Sequence, residues 1–138
     1  MSLGSWVGGF AMTALALVPR VGFAHCSNTF EVASAAHEFS DAAEHFHELM
    51  HDLTGYSHLA GDAHHLSDEA EYFHQEVEAG AECDFIQQEF EHVADDYRHL
   101  QRAFFQADNV HHDPHARNDF EDLHQSYHLL EEAVFHHD

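Results

Sequence analysis

Histidine is the residue type in this chain that is best suited to chemistry. The 138 residues include 18 histidines, all at or after His25, together with 26 acidic residues and no lysine. Neutral imidazole is the commonest protein ligand of transition metals, and carboxylates complete the coordination shells of the same ions. The composition therefore predicts a surface that binds divalent transition cations.

Histidines four residues apart lie one turn apart on the same face of a helix. His47 with His51, and His124 with His128, have this spacing, and each pair has glutamates nearby in sequence. These pairs and their glutamates are the strongest candidate metal ligands. The residues are Glu44, His47, Glu48, His51, Glu121, His124 and His128.

Weaker candidates lie outside the two pairs. His74 shares with His47 and His124 a position at the edge of the core, where ligands from neighbouring helices can converge. His92 and His99 lie two turns apart with two aspartates between them, Asp95 and Asp96. Three more histidines are concentrated in a predicted loop around Pro114. A solvated polar surface is the alternative interpretation of the last two groups. These candidates are His74, His92, His99, His111, His112 and His115.

The apolar residues after position 25 recur at intervals of three and four, which is the period of a helix. Four amphipathic stripes are visible, Phe39 to Leu53, Leu59 to Val77, Ile86 to Ala107 and Ala116 to Val134. The connections between them are short, which favours antiparallel neighbours. The predicted fold class is all-α, an antiparallel up-down-up-down four-helix bundle.

Most histidines fall outside these stripes. A di-iron or hemerythrin-like centre needs ligands that project inward from facing helices, whereas the inward positions here hold Phe, Leu, Val, Ala and Tyr. Glu-x-x-His occurs five times, but the pattern is weak in a chain so rich in both residues. Surface metal sites are therefore the favoured prediction, and a di-iron bundle is the alternative.

The first 24 residues differ in composition from the rest. An apolar run from Trp6 to Val18 is too short to span a bilayer comfortably, and it is followed by Pro19 and the small-residue pattern that ends at Ala24. No basic residue precedes the run, so retention as an anchor is the alternative. The sequence predicts a secretory signal peptide at 1–24, a histidine-rich domain at 25–138, and a periplasmic or secreted location.

Export bears on the two cysteines, Cys26 and Cys83. An even pair in an oxidising compartment usually forms a disulfide. Neither cysteine belongs to a CxxC motif, which argues against thiolate zinc sites. One bridge between Cys26 and Cys83 is therefore predicted.

Charge excludes several classes of partner. In the predicted mature chain, 26 acidic residues stand against Arg98, Arg102 and Arg117, which gives −23 with histidine neutral. Such a field repels phosphate backbones and anionic lipid surfaces. Metal ions are the expected partners, nucleic acid and membrane surfaces are not, and the chain is expected to be a monomer or homodimer.

The signal-like segment, the acidic helices and the surface histidines at i, i+4 together resemble the small histidine-rich periplasmic metal-binding proteins of copper-tolerant bacteria. The resemblance implies that several copper, nickel or zinc ions are bound. The Irving–Williams order places Cu²⁺ first for imidazole and carboxylate ligands, with Zn²⁺ and Ni²⁺ weaker. No catalytic motif is present, so no enzymatic role is predicted. Besides the di-iron bundle, a metal-independent, pH-responsive chaperone or interaction module is an alternative.

Overall fold

The computed structural model describes residues 29–55 and 57–135. Within these residues the chain is helical with short connections and contains no β-strand, so the predicted all-α class is confirmed. The predicted signal peptide at 1–24 and Cys26, the predicted partner of Cys83, lie outside the described residues. Both therefore remain predictions.

Four long helices and one short helix make up the described chain. They are α1 (Thr29–Thr54), α2 (His58–Glu78), α3 (Cys83–Gln106), α4 (Asp108–His111) and α5 (Pro114–Phe135). The long helices correspond to the four predicted stripes. None of the described helices has the length and apolar character needed to cross a membrane.

Local sequence signals mark the helix ends. Gly55 and Gly80 follow α1 and α2 with φ of 64° and 81°, a left-handed conformation that glycine adopts without steric cost. Asp113 caps α5, because its Oδ1 accepts two backbone N–H groups of the first turn at 2.9 and 3.0 Å. Pro114 is the first residue of that helix, where its missing N–H costs no hydrogen bond.

The apolar stripes of the long helices meet in one core. Helix α1 packs against α2 and α5, α2 packs against α3, and α3 contacts α5. Ten of the largest fully buried side chains occupy predicted stripe positions. They are Phe39, Phe46, Met50, Leu66, Phe73, Phe90, Leu100, Phe104, Leu123 and Leu130.

Two predictions about this core need correction. Leu53 was predicted to end the first stripe, yet its side chain is 45% exposed because it lies in the last turn of α1, close to where the helix ends. No helical stripe was predicted between Ala107 and Ala116, yet the residues around Asn109 form α4. Burial of Val110 provides the apolar contact that holds this single helical turn against the core.

Candidate metal centre

Ligand-type side chains line the border between α2 and α3. They are His58, Asp62, His65, Glu69, Asp96 and His99, and we call this set the α2–α3 seam. Its four members on α2 are separated by four, three and four positions, which places them on one face of the helix. The seam divides into two groups, each with ligand atoms within 4.8 Å of one another.

The first group combines two imidazoles with one carboxylate. Asp62 Oδ2 lies 3.5 Å from His58 Nε2 on its own helix and 3.3 Å from His99 Nε2 on α3. The two histidine side chains are 85% and 54% exposed, whereas the Asp62 side chain is only 16% exposed. A buried carboxylate oxygen thus lies between two accessible imidazole nitrogens.

These separations match the ligand spacing around a tetrahedral ion. Nitrogen and oxygen ligands lie about 2.0 to 2.2 Å from Zn²⁺, so two ligands of one tetrahedral ion lie roughly 3.3 to 3.6 Å from each other. The distances from Asp62 Oδ2 to His58 Nε2 and His99 Nε2, 3.5 and 3.3 Å, fall in this range. All three ligand atoms of the first group lie within 4.8 Å of one another, so the group can offer three ligands to one ion.

Asp62 Oδ2 also lacks a hydrogen-bond partner among the described residues, although it is buried. Neither imidazole approaches it with the geometry of a hydrogen bond. A buried polar atom without a partner costs roughly 1–3 kcal/mol of stability. A cation held between Asp62 and the two histidines would satisfy this oxygen.

The second group is richer in carboxylates. His65 Nε2 lies 3.2 Å from Asp96 Oδ2, and Glu69 follows His65 by one turn on α2. Burial raises the pKa of Asp96, and the charges of His65 and His92 oppose that shift. The group offers one nitrogen and two oxygens, a harder ligand set than the first group.

Of the predicted patch of His92 and His99, only His99 is a member of the seam. His99 contacts Asp62, while the charge of His92 acts on Asp96, one turn away on α3. The α2 residues of the seam were not among the predicted ligands. The alternating spacing of four and three from His58 to Glu69 is the signal in the sequence that identifies them.

The predicted pair His47 and His51 acquires a third imidazole from α2. The His47 and His64 rings have centroids 4.7 Å apart, and His51 lines the same surface pocket. Burial lowers the pKa of His47, and the positive charges of His64 and His51 lower it further. A lowered pKa favours the neutral imidazole, which is the form that binds metal.

The glutamates predicted to accompany this pair, Glu44 and Glu48, are both exposed on α1. The charge of Glu48 acts on His47, although more weakly than the burial and the neighbouring histidines. The group around His47 and His51 is therefore extended by the imidazole of His64 on α2, across the border between the two helices.

His74 lies at a different point of the α1–α2 border. Its ring centroid is 5.2 Å from that of His37, and its Nε2 lies 3.0 Å from Glu78 Oε1. His37 and His47 are ten residues apart on α1, or about 15 Å along the helix. Since His74 packs with His37, and His124 with Tyr97, the structure does not bring His47, His74 and His124 together.

His124 and His128 form an edge-to-face pair on α5, with ring centroids 4.4 Å apart. The Tyr97 hydroxyl on α3 lies 2.5 Å from His124 Nδ1, and this hydrogen bond fixes the orientation of the ring. Nε2 of His124 is therefore the nitrogen left for a metal, with His128 beside it. Glu121, one turn earlier, is exposed and can complete such a group.

The three histidines near Pro114 lie partly in helices, which corrects the predicted loop. His111 ends α4, and its Nδ1 lies 3.0 Å from the carbonyl oxygen of Ala107. The His111 and His112 rings have centroids 4.1 Å apart, whereas His115 belongs to the first turn of α5. Asp113 caps α5 at its first turn, so His115 lies in a helix and not in the predicted loop.

None of the described histidines is fully buried, and the buried side chains of the described core are apolar except for two tyrosines and two serines. This arrangement agrees with the prediction that most histidines fall outside the apolar stripes. The described interior therefore offers no histidine or carboxylate ligands for a di-iron centre.

The stacked tyrosines Tyr97 and Tyr127 lie behind the histidine pair on α5, with ring centroids 3.9 Å apart. Burial raises the pKa of Tyr127 to about 12, and the negative charge of Glu131 contributes to the shift. Burial also raises the pKa of Tyr97 above its usual range. Both phenols therefore stay protonated at neutral pH.

The raised pKa values of Tyr97 and Tyr127 predict that the folded protein loses stability at alkaline pH. Because the folded pKa of Tyr127 lies above the value of ~10 for an exposed tyrosine, its contribution is complete below pH ~10. It is lost as pH rises through about 12. Denaturant unfolding at increasing pH, with tyrosinate absorbance as a second observable, measures this. The tyrosinate absorbance of the wild type minus that of the Tyr127→Phe variant reports the ionisation of Tyr127. This difference should rise near pH 12, and a rise near pH ~10 contradicts the assignment.

The chain was compared with protein-family models, curated proteins and solved structures, and none of the three comparisons gave a match.

Proposed function

We propose that this chain is an exported protein that buffers or scavenges divalent transition metals through histidine and carboxylate groups on its helix surfaces. The observation that carries the proposal is the environment of Asp62 Oδ2. This buried oxygen has no hydrogen-bond partner among the described residues and lies 3.3 and 3.5 Å from two imidazole nitrogens. A divalent cation is the ligand that suits all three atoms.

Several groups of ligands, each outside the core, favour buffering over a single structural site. The α2–α3 seam has two groups, the α1–α2 border has His47 with His51 and His64, and α5 carries His124 with His128. Because these ligands are at least partly accessible to solvent, the ions should exchange readily. We propose a binding role and no catalytic one.

Copper is the metal that we propose first. Imidazole nitrogen dominates the groups on the α1–α2 border and on α5, and such sites bind Cu²⁺ more tightly than Zn²⁺ or Ni²⁺. Zn²⁺ suits the first group of the seam, where one carboxylate and two imidazoles can occupy three corners of a tetrahedron. Cu²⁺ is thus the proposed bound ion, and Zn²⁺ and Ni²⁺ are the alternatives.

We infer that the four long helices form an antiparallel up-down-up-down bundle that holds these groups in register. The neighbour relations support this, because α1 packs against α2 and α5, while α3 contacts both α2 and α5. The ring contacts of His37 with His74 and of His47 with His64 are those of two helices that run in opposite directions.

Export is proposed from the sequence of the first 24 residues, with a disulfide between Cys26 and Cys83 in the mature chain. A periplasmic or secreted location would place the histidine clusters where external metal enters. Intact-mass measurement of the exported chain, before and after reduction, tests both features. Cleavage after Ala24 and a mass increase of two hydrogens on reduction are expected.

Metal content tests the binding role in the cell. The protein is purified without an affinity tag or metal column, and its metals are measured by elemental analysis. We expect at least one copper or zinc ion per chain to be retained or regained on incubation with the ion. A preparation that carries no metal, and takes up neither Cu²⁺ nor Zn²⁺, contradicts the proposal.

A further inference from the structure

The two groups of the α2–α3 seam follow one register between the helices. Asp62 on α2 faces His99 on α3, with Oδ2 and Nε2 3.3 Å apart. Three residues further along α2, His65 faces Asp96, with Nε2 and Oδ2 3.2 Å apart. A step of three residues forward on α2 thus corresponds to three residues backward on α3. Each crossing contact joins one imidazole to one carboxylate, but the residue that completes each group differs.

The third residue gives the two groups different chemistry. In the first group it is His58, one turn before Asp62, so the set is two nitrogens and one oxygen. In the second group it is Glu69, one turn after His65, so the set is one nitrogen and two oxygens. Imidazole suits Zn²⁺ and Cu²⁺, whereas carboxylates and water suit harder ions such as Mn²⁺. One seam therefore offers two ligand sets of different preference.

The second group has the spacing of ligands around an octahedral ion. Hard divalent cations hold oxygen ligands about 2.1 to 2.4 Å away, so neighbouring ligands lie about 3.0 to 3.4 Å apart and opposite ligands about 4.2 to 4.8 Å apart. His65 Nε2 and Asp96 Oδ2, at 3.2 Å, match neighbouring ligands, and all three ligand atoms of the group lie within 4.8 Å of one another. The His65 side chain is 64% exposed, so water can fill the remaining positions.

Charge favours a divalent cation at the second group. Its two carboxylates balance the charge of one such ion, whereas the first group supplies a single carboxylate. Burial raises the pKa of Asp96 although the charge of His65 opposes the shift, so the ionised carboxylate is poorly stabilised in the metal-free protein. A bound cation would stabilise it. The imidazole of His65 distinguishes the group from the all-oxygen sites that Ca²⁺ prefers.

We propose that the α2–α3 seam binds two unlike ions at once, Zn²⁺ or Cu²⁺ at its first group and Mn²⁺ at its second, formed by His65, Glu69 and Asp96. The inference rests on the metal-binding function above and adds a hard cation to the ions that this chain holds. Mn²⁺ binds more weakly than Cu²⁺ or Zn²⁺ to a given site. The nitrogen-rich groups take up the stronger ions first, which leaves the oxygen-rich group for Mn²⁺. Asp62 Oδ2, buried and without a hydrogen-bond partner among the described residues, favours the first group for the stronger ion.

Electron paramagnetic resonance of Mn²⁺ added to the metal-free protein tests the proposal, because the six-line spectrum of free Mn²⁺ broadens on binding. We expect one bound Mn²⁺ per chain, and one equivalent of added Zn²⁺ should not release it. Asp96→Asn and Glu69→Gln should each weaken Mn²⁺ binding at least about tenfold, the loss that removal of even an outer-shell partner causes. Asp95→Asn is the matched control, because it removes one charge from the neighbouring exposed position without removing a ligand. This control should retain the bound Mn²⁺.

The converse variant separates the two groups. Replacing His58 and His99 together by glutamine should remove one tightly bound Zn²⁺ and leave Mn²⁺ binding unchanged, since neither residue belongs to the second group. Equal Mn²⁺ binding by Asp96→Asn, Glu69→Gln and Asp95→Asn overturns the inference. A wild-type protein that binds no Mn²⁺, or that releases it to one equivalent of Zn²⁺, overturns it too, as does loss of Mn²⁺ when only the first group is removed. If Zn²⁺ or Cu²⁺ still binds the wild type, the proposed function stands. A chain that binds no divalent metal overturns both.

Discussion

Replacing His58 and His99 together by glutamine is expected to remove one equivalent of tightly bound divalent metal from the chain. Two of the three ligands in the first group of the α2–α3 seam are lost, and Asp62 is left as a single carboxylate. Loss of an outer-shell partner alone weakens metal sites by roughly 10–100-fold. Loss of two direct ligands should therefore weaken this group by more than about 100-fold.

The same variant should fold normally. Both imidazoles are exposed and lie outside the core, so the free energy of unfolding of the apoprotein should change by less than about 0.5 kcal/mol. His45→Gln, which removes an exposed histidine outside the seam and outside the other candidate groups, is the control. If the seam variant binds Zn²⁺ and Cu²⁺ with the same stoichiometry and affinity as this control, the seam is not a metal site.

Acidification from pH ~7.5 to ~5.5 is expected to release the bound ions. An imidazole binds metal only when neutral, and a histidine in water titrates near pH ~6.5, so each imidazole ligand should cost roughly a tenfold loss of apparent affinity. The first group of the seam has two imidazole ligands, so its apparent affinity should fall more steeply than that of a group with one. Equilibrium dialysis of the metal-loaded protein across this range measures the release.

The metal-free protein distinguishes this account from a pH-responsive interaction module. Protonation of all 18 histidines would move the net charge of the mature chain from −23 toward −5 and remove much of its self-repulsion. We expect the apoprotein to stay helical and monomeric or dimeric through this change. A change in oligomeric state, together with feeble Cu²⁺ and Zn²⁺ binding at pH ~7.5, would instead support the interaction module.

The fold was largely predictable because helical periodicity is a local property of the sequence. Phe46, Leu66, Phe90 and Leu123 lie at stripe positions of the four long helices, and all are buried. The errors occur at helix ends, where local periodicity stops determining burial. Leu53 lies in the last turn of α1 and is exposed, because a stripe pattern does not show where neighbouring helices cease to cover it.

The candidate sites were predictable only within single helices. The spacing of His47 and His51, or of His124 and His128, follows from the period of one helix. Their partners across the helix borders depend on how the helices align, which periodicity leaves open. His64 therefore joins His47 from a separate helix, and Tyr97 joins His124, without any local signal for either contact.

The α2–α3 seam illustrates the same limit. The interval pattern of His58, Asp62 and His65 places them on one face of α2, and this much is visible in the sequence. Which face of α3 they meet is decided by packing of the core. The contact between Asp62 and His99 at 3.3 Å, on which the proposed function depends, is therefore a structural result.

Calorimetric titration of dialysed, metal-free protein with Cu²⁺ at neutral pH tests the central claim most directly. The separated groups of the α2–α3 seam, the α1–α2 border and α5 predict more than one Cu²⁺ per chain, bound with micromolar or tighter affinity. The absence of any Cu²⁺ binding at micromolar or tighter affinity would contradict the account.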